Sequence, residues 1–87
     1  MALPEAWQAY ETAYRRALGA KLRRLRRERG LNQDDFADLA YLHRSHIGLI
    51  ENAKYNVSLA TLLRLAKALE VEPAELIELG EDAPARP

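Results

Sequence analysis

The sequence predicts an all-α, five-helix domain whose first helix is extended at its N-terminal end. Three observations predict it. Apolar residues recur three and four positions apart, as in Ala6, Tyr10, Ala13, Ala17, Leu18, Leu22 and Leu25, the spacing that lines one face of a helix. Residues that stop or start helices fall between such segments: Gly30 then Asn32, Ser58, Pro73 and Gly80,. Finally, Gln33 to Asn52, QDDFADLAYLHRSHIGLIEN, reads as two short helices joined by a tight turn.

At 87 residues the chain is one domain with one modest core,. Its bounds are read as 1–80, with residues 1–17 as the helical extension. The last seven residues, EDAPARP, are read as a disordered tail at 81–87,. No cysteine is present, so there are no disulfides and no thiolate metal site,. No apolar run nears 18 residues and no signal-peptide pattern occurs, so a cytoplasmic, soluble protein without membrane contact is expected,. The formal charge is zero but unevenly placed. Residues 15–29 hold eight cations against Glu28, a net +7, and residues 70–87 hold six acids against Arg86, a net −5. Such a chain can offer one positive face while remaining neutral overall.

The first helix is expected from about Pro4 to Arg29, continuous or bent near Gly19, with Pro4 suited to its first turn,. Trp7, Tyr10 and Tyr14 form an aromatic stripe that either packs on the domain's own core or contacts a partner. Leu18, Leu22 and Leu25 form its core face, and Gly30 takes the left-handed cap,. Asn32 caps the second helix, where Phe36, Ala37, Leu39 and Ala40 make the buried side,. Ile47 and Ile50 anchor the third. Ser58 caps the fourth, with Leu59, Leu62, Leu63, Leu65, Ala66 and Leu69 mostly in the core. Pro73 opens the fifth, and Gly80 closes it,.

The third helix carries the functional signal. With Ile47 and Ile50 turned inward, Arg44, Ser45, His46, Gly48 and Leu49 fall on its sides and outer face. A helix docked by a few apolar residues and offering polar ones outward suits reading of the major groove. Arg44 matches guanine O6 and N7, Ser45 and His46 donate or accept, and Leu49 suits a thymine methyl. Gly48 allows close approach of the backbone. Lys54, Tyr55 and Asn56, in the loop NAKYN that starts at Asn52, suit phosphate contacts,. Nothing points to catalysis, a metal, a cofactor or a small-molecule ligand: there is no nucleophile triad and no phosphate-cradling glycine loop.

LGAKLRRLRRERGLNQ, FADLA, RSHIGLIE and NVSLATLLRLAKALEV, together spanning about Leu18 to Leu79, resemble the Xre, or Cro and phage-repressor-like, helix-turn-helix regulators. YLHRSHIGLIENAKYN is most similar to the controller proteins of restriction-modification systems. The resemblance implies a repressor-like DNA-binding fold with double-stranded DNA as partner, and base reading by Arg44, Ser45, His46 and Leu49. It implies backbone contacts from Gln33, His43, Asn52, Lys54, Tyr55 and Asn56, and a structural ion pair between Arg26 and Glu51. It also implies a homodimer, with Val71, Leu76, Ile77 and Leu79 as its interface, although these four also suit a monomer core. Autoregulation of an operon follows by analogy. Tyr41 departs from the family's glycine or asparagine at a turn that wants positive φ, and His43 departs from its Ser, Thr or Asp cap. Two other readings stay open: an antitoxin of the same fold, whose toxin would bind the aromatic extension, and a protein-interaction module without DNA.

Overall fold

A computed structural model describes all 87 residues. Five helices follow one another: α1 Glu5–Glu28, α2 Gln33–Ala40, α3 Arg44–Glu51, α4 Leu59–Leu69 and α5 Pro73–Ile77, with a 3-10 turn at Gly80–Asp82. Local chemistry explains most of the boundaries. The Asn32 side chain accepts the Asp35 N–H at 2.7 Å, and Ser58 accepts the Thr61 N–H at 3.1 Å, each satisfying a donor that the first turn leaves unpaired. Gly30 ends α1 at φ 68. Tyr41 ends α2 at φ 57, ψ 41, so a bulky residue occupies the left-handed conformation. Its exposed ring lies under the Lys67 ammonium, 5.1 Å from the centroid, a contact that offsets part of the strain.

Phe36, Leu22, Ile47, Leu65, Leu69 and Leu76 are fully buried, and Leu18, Ala37, Ala40, Ile50, Ala66 and Ala68 complete the core. α2 packs on both α3 and α4, while α1 crosses α3 and touches α5. Leu39 departs from expectation and is exposed. The buried arc of α2 runs through Phe36, Ala37 and Ala40, and Leu39 falls off its side. Leu59 and Leu63 are exposed too, because Leu65, Ala66 and Leu69 aim α4 inward from another side. α5 stops at Ile77, before Gly80, and Glu78 adopts an extended backbone. Glu81 and Asp82 belong to the 3-10 turn, so regular structure runs two residues into the expected tail.

α1 is one unbroken helix, and Gly19 is not a bend. It is a crossing point. A Cβ built there would sit 2.6 Å from the Glu51 carbonyl oxygen and 2.8 Å from that of Ile50. Both obstacles are backbone, so α1 can lie against the end of α3 only with glycine at this position. Gly19→Ala is expected to destabilise the fold by about 1–3 kcal/mol through overpacking, in spite of alanine's better helix propensity. A fall of several degrees in Tm would register it; an unchanged or raised Tm would refute the crossing.

α1 is tied to the end of α5 by Tyr14 of the extension and by Lys21 beyond it. The Tyr14 hydroxyl donates to the Ile77 carbonyl oxygen, and Lys21 donates to the carbonyls of Glu75 and Glu78, the latter at 2.7 Å. These bonds satisfy carbonyls at the end of α5 and fasten it to α1. The aromatic stripe is therefore divided. Trp7, Tyr10 and Tyr14 stack edge to face at 5.5 and 5.8 Å, but Tyr14 faces inward whereas Trp7 stays exposed.

Candidate nucleic-acid interface

α3 is held from below by Ile47 and Ile50 and from behind by a charge cluster. Arg26 on α1 donates to Glu51 through Nε at 2.7 Å and Nη2 at 3.1 Å, and its Nη1 donates to the Leu31 carbonyl at 2.9 Å. The Glu51 side chain has no exposed surface. Burial pushes its carboxyl up, but hydrogen bonds from Arg26, Gln33 and Arg23, with the Arg26 charge, reverse this and hold it below the usual carboxylate range,. The same pairing raises Arg26, against its own burial. A bidentate pair of this kind fixes the angle between α1 and α3 as well as their contact.

Two further residues join the cluster. Arg23, which the sequence analysis did not single out, donates from Nε to Glu51 at 3.3 Å and from Nη2 to Asn52 Oδ1 at 3.0 Å. A signal for this was available: Arg23 lies three residues before Arg26, on the same helix face. Gln33, for which the family resemblance implies a DNA-backbone contact, is half-buried and donates to Glu51 at 3.3 Å. Asn52 is also engaged at both ends, since its Nδ2 donates to the Gly48 carbonyl at 2.9 Å. Gln33 and Asn52 thus brace α3, and the hydrogen bonds they make stay inside the domain.

The outer strip of α3 is open. Arg44 and Ser45 are exposed, Leu49 is 44% exposed, and nothing lies within 4 Å of a Cβ built on Gly48. Arg44 Nε rests 3.5 Å from Asp34 Oδ1, both side chains being about two-thirds exposed; such a pair is weak and free to open. His46 is different. Its ring packs edge-on against Tyr55 at 4.3 Å between centroids, and its Nε2 is buried without a partner. Buried, that nitrogen does not reach the open strip. His43 is exposed at the start of α3 and makes no side-chain cap. Lys54 is exposed, and Asn56 accepts from Arg15 Nη1 at 3.1 Å.

The four residues expected at a dimer interface are separated by burial. Leu76 has no exposed surface and Leu79 is 8% exposed, so both serve the core of the single chain. Ile77 is exposed and Val71 half-buried.

A helix-turn-helix family model matches residues 22–76. The chain belongs to the Xre-like helix-turn-helix family. It is a DNA-binding transcription regulator of the controller-protein type. The regulator is 38% identical over 60 residues to control protein C.SmaI of Serratia marcescens, covering 69% of this chain and 71% of the relative. It is 41% identical over 59 residues to control protein C.MunI of a Mycoplasma species, covering 67% and 80%. Among solved structures it is similar to the restriction-modification controller protein C.AhdI from Aeromonas hydrophila: TM-score 0.70, 45% identity, covering 71% of this chain and 94% of the other. No helix of the regulator is long and apolar enough to cross a membrane.

Proposed function

We propose that this regulator binds a pseudo-palindromic operator as a homodimer and controls the operon that encodes it. One observation carries the reading: the strip of α3 bearing Arg44, Ser45, Gly48 and Leu49 is left open while everything behind it is braced by the Arg26–Glu51 cluster. Arg44 supplies bidentate recognition of guanine, Ser45 a polar contact and Leu49 an apolar contact with a thymine methyl. His46 supports the loop through Tyr55. Lys54, Tyr55, Asn56 and His43 serve the phosphates, which set register without specifying sequence. Self-association draws on exposed apolar surface of the last two helices, Ile77 on α5 and Leu59 and Leu63 on α4, with Val71 at the edge of the core. Two reading helices then enter successive major grooves about 34 Å apart.

Footprinting of the DNA upstream of the regulator's own gene, repeated across salt concentrations, tests this. The expected pattern is a pair of protected half-sites, centres about 10 base pairs or a multiple apart. A single unpaired half-site would refute the dimer, and no protection at low salt would refute the operator.

Gly48 gives a second check. Because a methyl group there meets nothing, Gly48→Ala is expected to stabilise the free protein by about 0.5–1 kcal/mol. The same methyl enters the space reserved for DNA, so operator affinity falls. Opposite signs in thermal unfolding and in binding are the expected result. A variant that gains in both would show that the backbone does not approach the groove at this point.

A further inference from the structure

The loop after the reading helix ends beside the N-terminal extension, and between them lies a notch of about 220 Å³, lined by Arg15, Ala53, Lys54, Tyr55 and Asn56. Arg15 belongs to the part of α1 that precedes the matched family segment at 22–76. We propose that the notch seats one phosphodiester of the DNA backbone, with Arg15 as its principal cation. This assignment rests on the DNA-binding reading above and adds a contact from a helix segment outside the family match.

The geometry suits an anion. The Arg15 guanidinium is fixed by two bonds, Nη1 to Asn56 Oδ1 at 3.1 Å and Nη2 to Thr12 Oγ1 at 3.3 Å. A guanidinium has five N–H donors, so three remain for a ligand. Because Asn56 turns its oxygen to Arg15, its amide N–H groups stay unused. Ala53 and Lys54 spend their backbone N–H groups on Ile50 and Leu49, but those of Tyr55 and Asn56 bond to no backbone carbonyl. Neither Arg15 nor Lys54 is paired with a carboxylate; the four ion pairs of the chain lie elsewhere. Glu11, one turn earlier, lines the adjoining groove and makes no ion pair with Arg15. The notch thus holds two uncompensated cations and several free donors. It lies against the loop that begins where the reading helix ends, where the strand flanking a half-site would pass.

The test uses the full chain and a duplex selected by the wild type from a random library. Binding is measured from 50 to 300 mM KCl for wild type, Arg15→Gln and Arg15→Lys. Loss of one phosphate contact lowers the salt slope by about 0.9 and, at 150 mM, weakens binding about five-fold per half-site. That is the result expected for Arg15→Gln, with Arg15→Lys keeping most of the slope. Ethylation of a single phosphate per half-site is expected to impair the wild type several-fold more than Arg15→Gln, which keeps only the Lys54 and loop donors there. An unchanged slope in Arg15→Gln, or no phosphate whose ethylation distinguishes the two proteins, overturns the assignment while the DNA reading stands. Failure of the wild type to select any duplex overturns both. Competition by inorganic phosphate, at ionic strength matched with chloride and lost in Arg15→Gln, would show a free-anion site and also overturn it.

Discussion

Arg26→Ala is expected to lower the stability of the fold by about 3–5 kcal/mol, the range for breaking a buried ion pair by removing one partner. The loss comes less from the missing attraction than from what stays behind. Glu51 has no exposed side-chain surface, and with Arg26 gone it keeps only the longer bonds from Arg23 and Gln33, both at 3.3 Å. The Leu31 carbonyl also loses its donor. In a domain whose total stability is about 5–10 kcal/mol, this removes roughly a third or more of it. Chemical denaturation measures it, and a loss below about 1 kcal/mol would show the pair to be dispensable. The pH dependence adds a sign. In the wild type the Glu51 carboxyl is held below its ordinary value. Its contribution is therefore present above the ordinary carboxylate pKa, about 4.3, and is lost as pH falls through the lower folded value. In Arg26→Ala burial, which raises the carboxyl, is opposed by fewer partners, so protonation relieves the folded state. The stability gap between the two proteins should narrow on going from pH 7 to pH 4. A constant gap would mean that the Glu51 charge is not its source.

That pair was legible through the family likeness alone, since helix spacing cannot pair residues of two different helices. Its neighbours were legible only in part. Cap chemistry is local, so Asn32, Ser58 and Gly30 could be placed from their own side chains. The left-handed Tyr41 followed from the family likeness at its turn, but Ala53 and Glu70, at φ 60 and 56, could not be anticipated. Nothing in alanine or glutamate marks such a conformation; it goes with the backbone hydrogen bonds that close the ends of α3 and α4, Lys54 N–H to Leu49 and Val71 N–H to Ala66,. Gly19 is the clearest case of a residue whose meaning lies elsewhere in the chain. Inside a helical pattern a glycine suggests a bend, and only the carbonyls of Ile50 and Glu51 against it reveal a crossing. Likewise the apolar residues of α4 and α5 announce two helices without saying which of them face out. Leu76 is buried while Leu59 and Leu63 are exposed because α4 and α5 together close over α1 and α2, a long-range arrangement. On α3 the periodicity correctly separated Ile47 and Ile50 from Arg44 and Leu49. It gave no hint that Tyr55, nine residues on, would pack against the His46 ring or that its Nε2 would be buried.

Arg44→Ala separates function from folding in the way Arg26→Ala does not. A good bidentate arginine–guanine pair contributes about 1–3 kcal/mol of discrimination, and a symmetric dimer uses two, so the operator complex is expected to lose about 2–6 kcal/mol in selectivity. Stability should hardly move, because the Arg44 contact with Asp34 is an exposed pair at 3.5 Å, a type that contributes about 0–1 kcal/mol. Asp34→Asn then makes the argument sharper. Asp34 stands at the start of α2, where it can steady the free Arg44, yet its charge faces any phosphate that approaches. Removing the charge is expected to raise affinity for all duplexes alike while leaving base preference intact, since that preference belongs to Arg44. Selection from a random duplex library, run for wild type and both variants, reads the two effects separately. Retention by Arg44→Ala of the wild-type preference at every position would show that the base is read by another residue. A changed base preference in Asp34→Asn would show that the acid, and not the arginine alone, determines which guanine is taken.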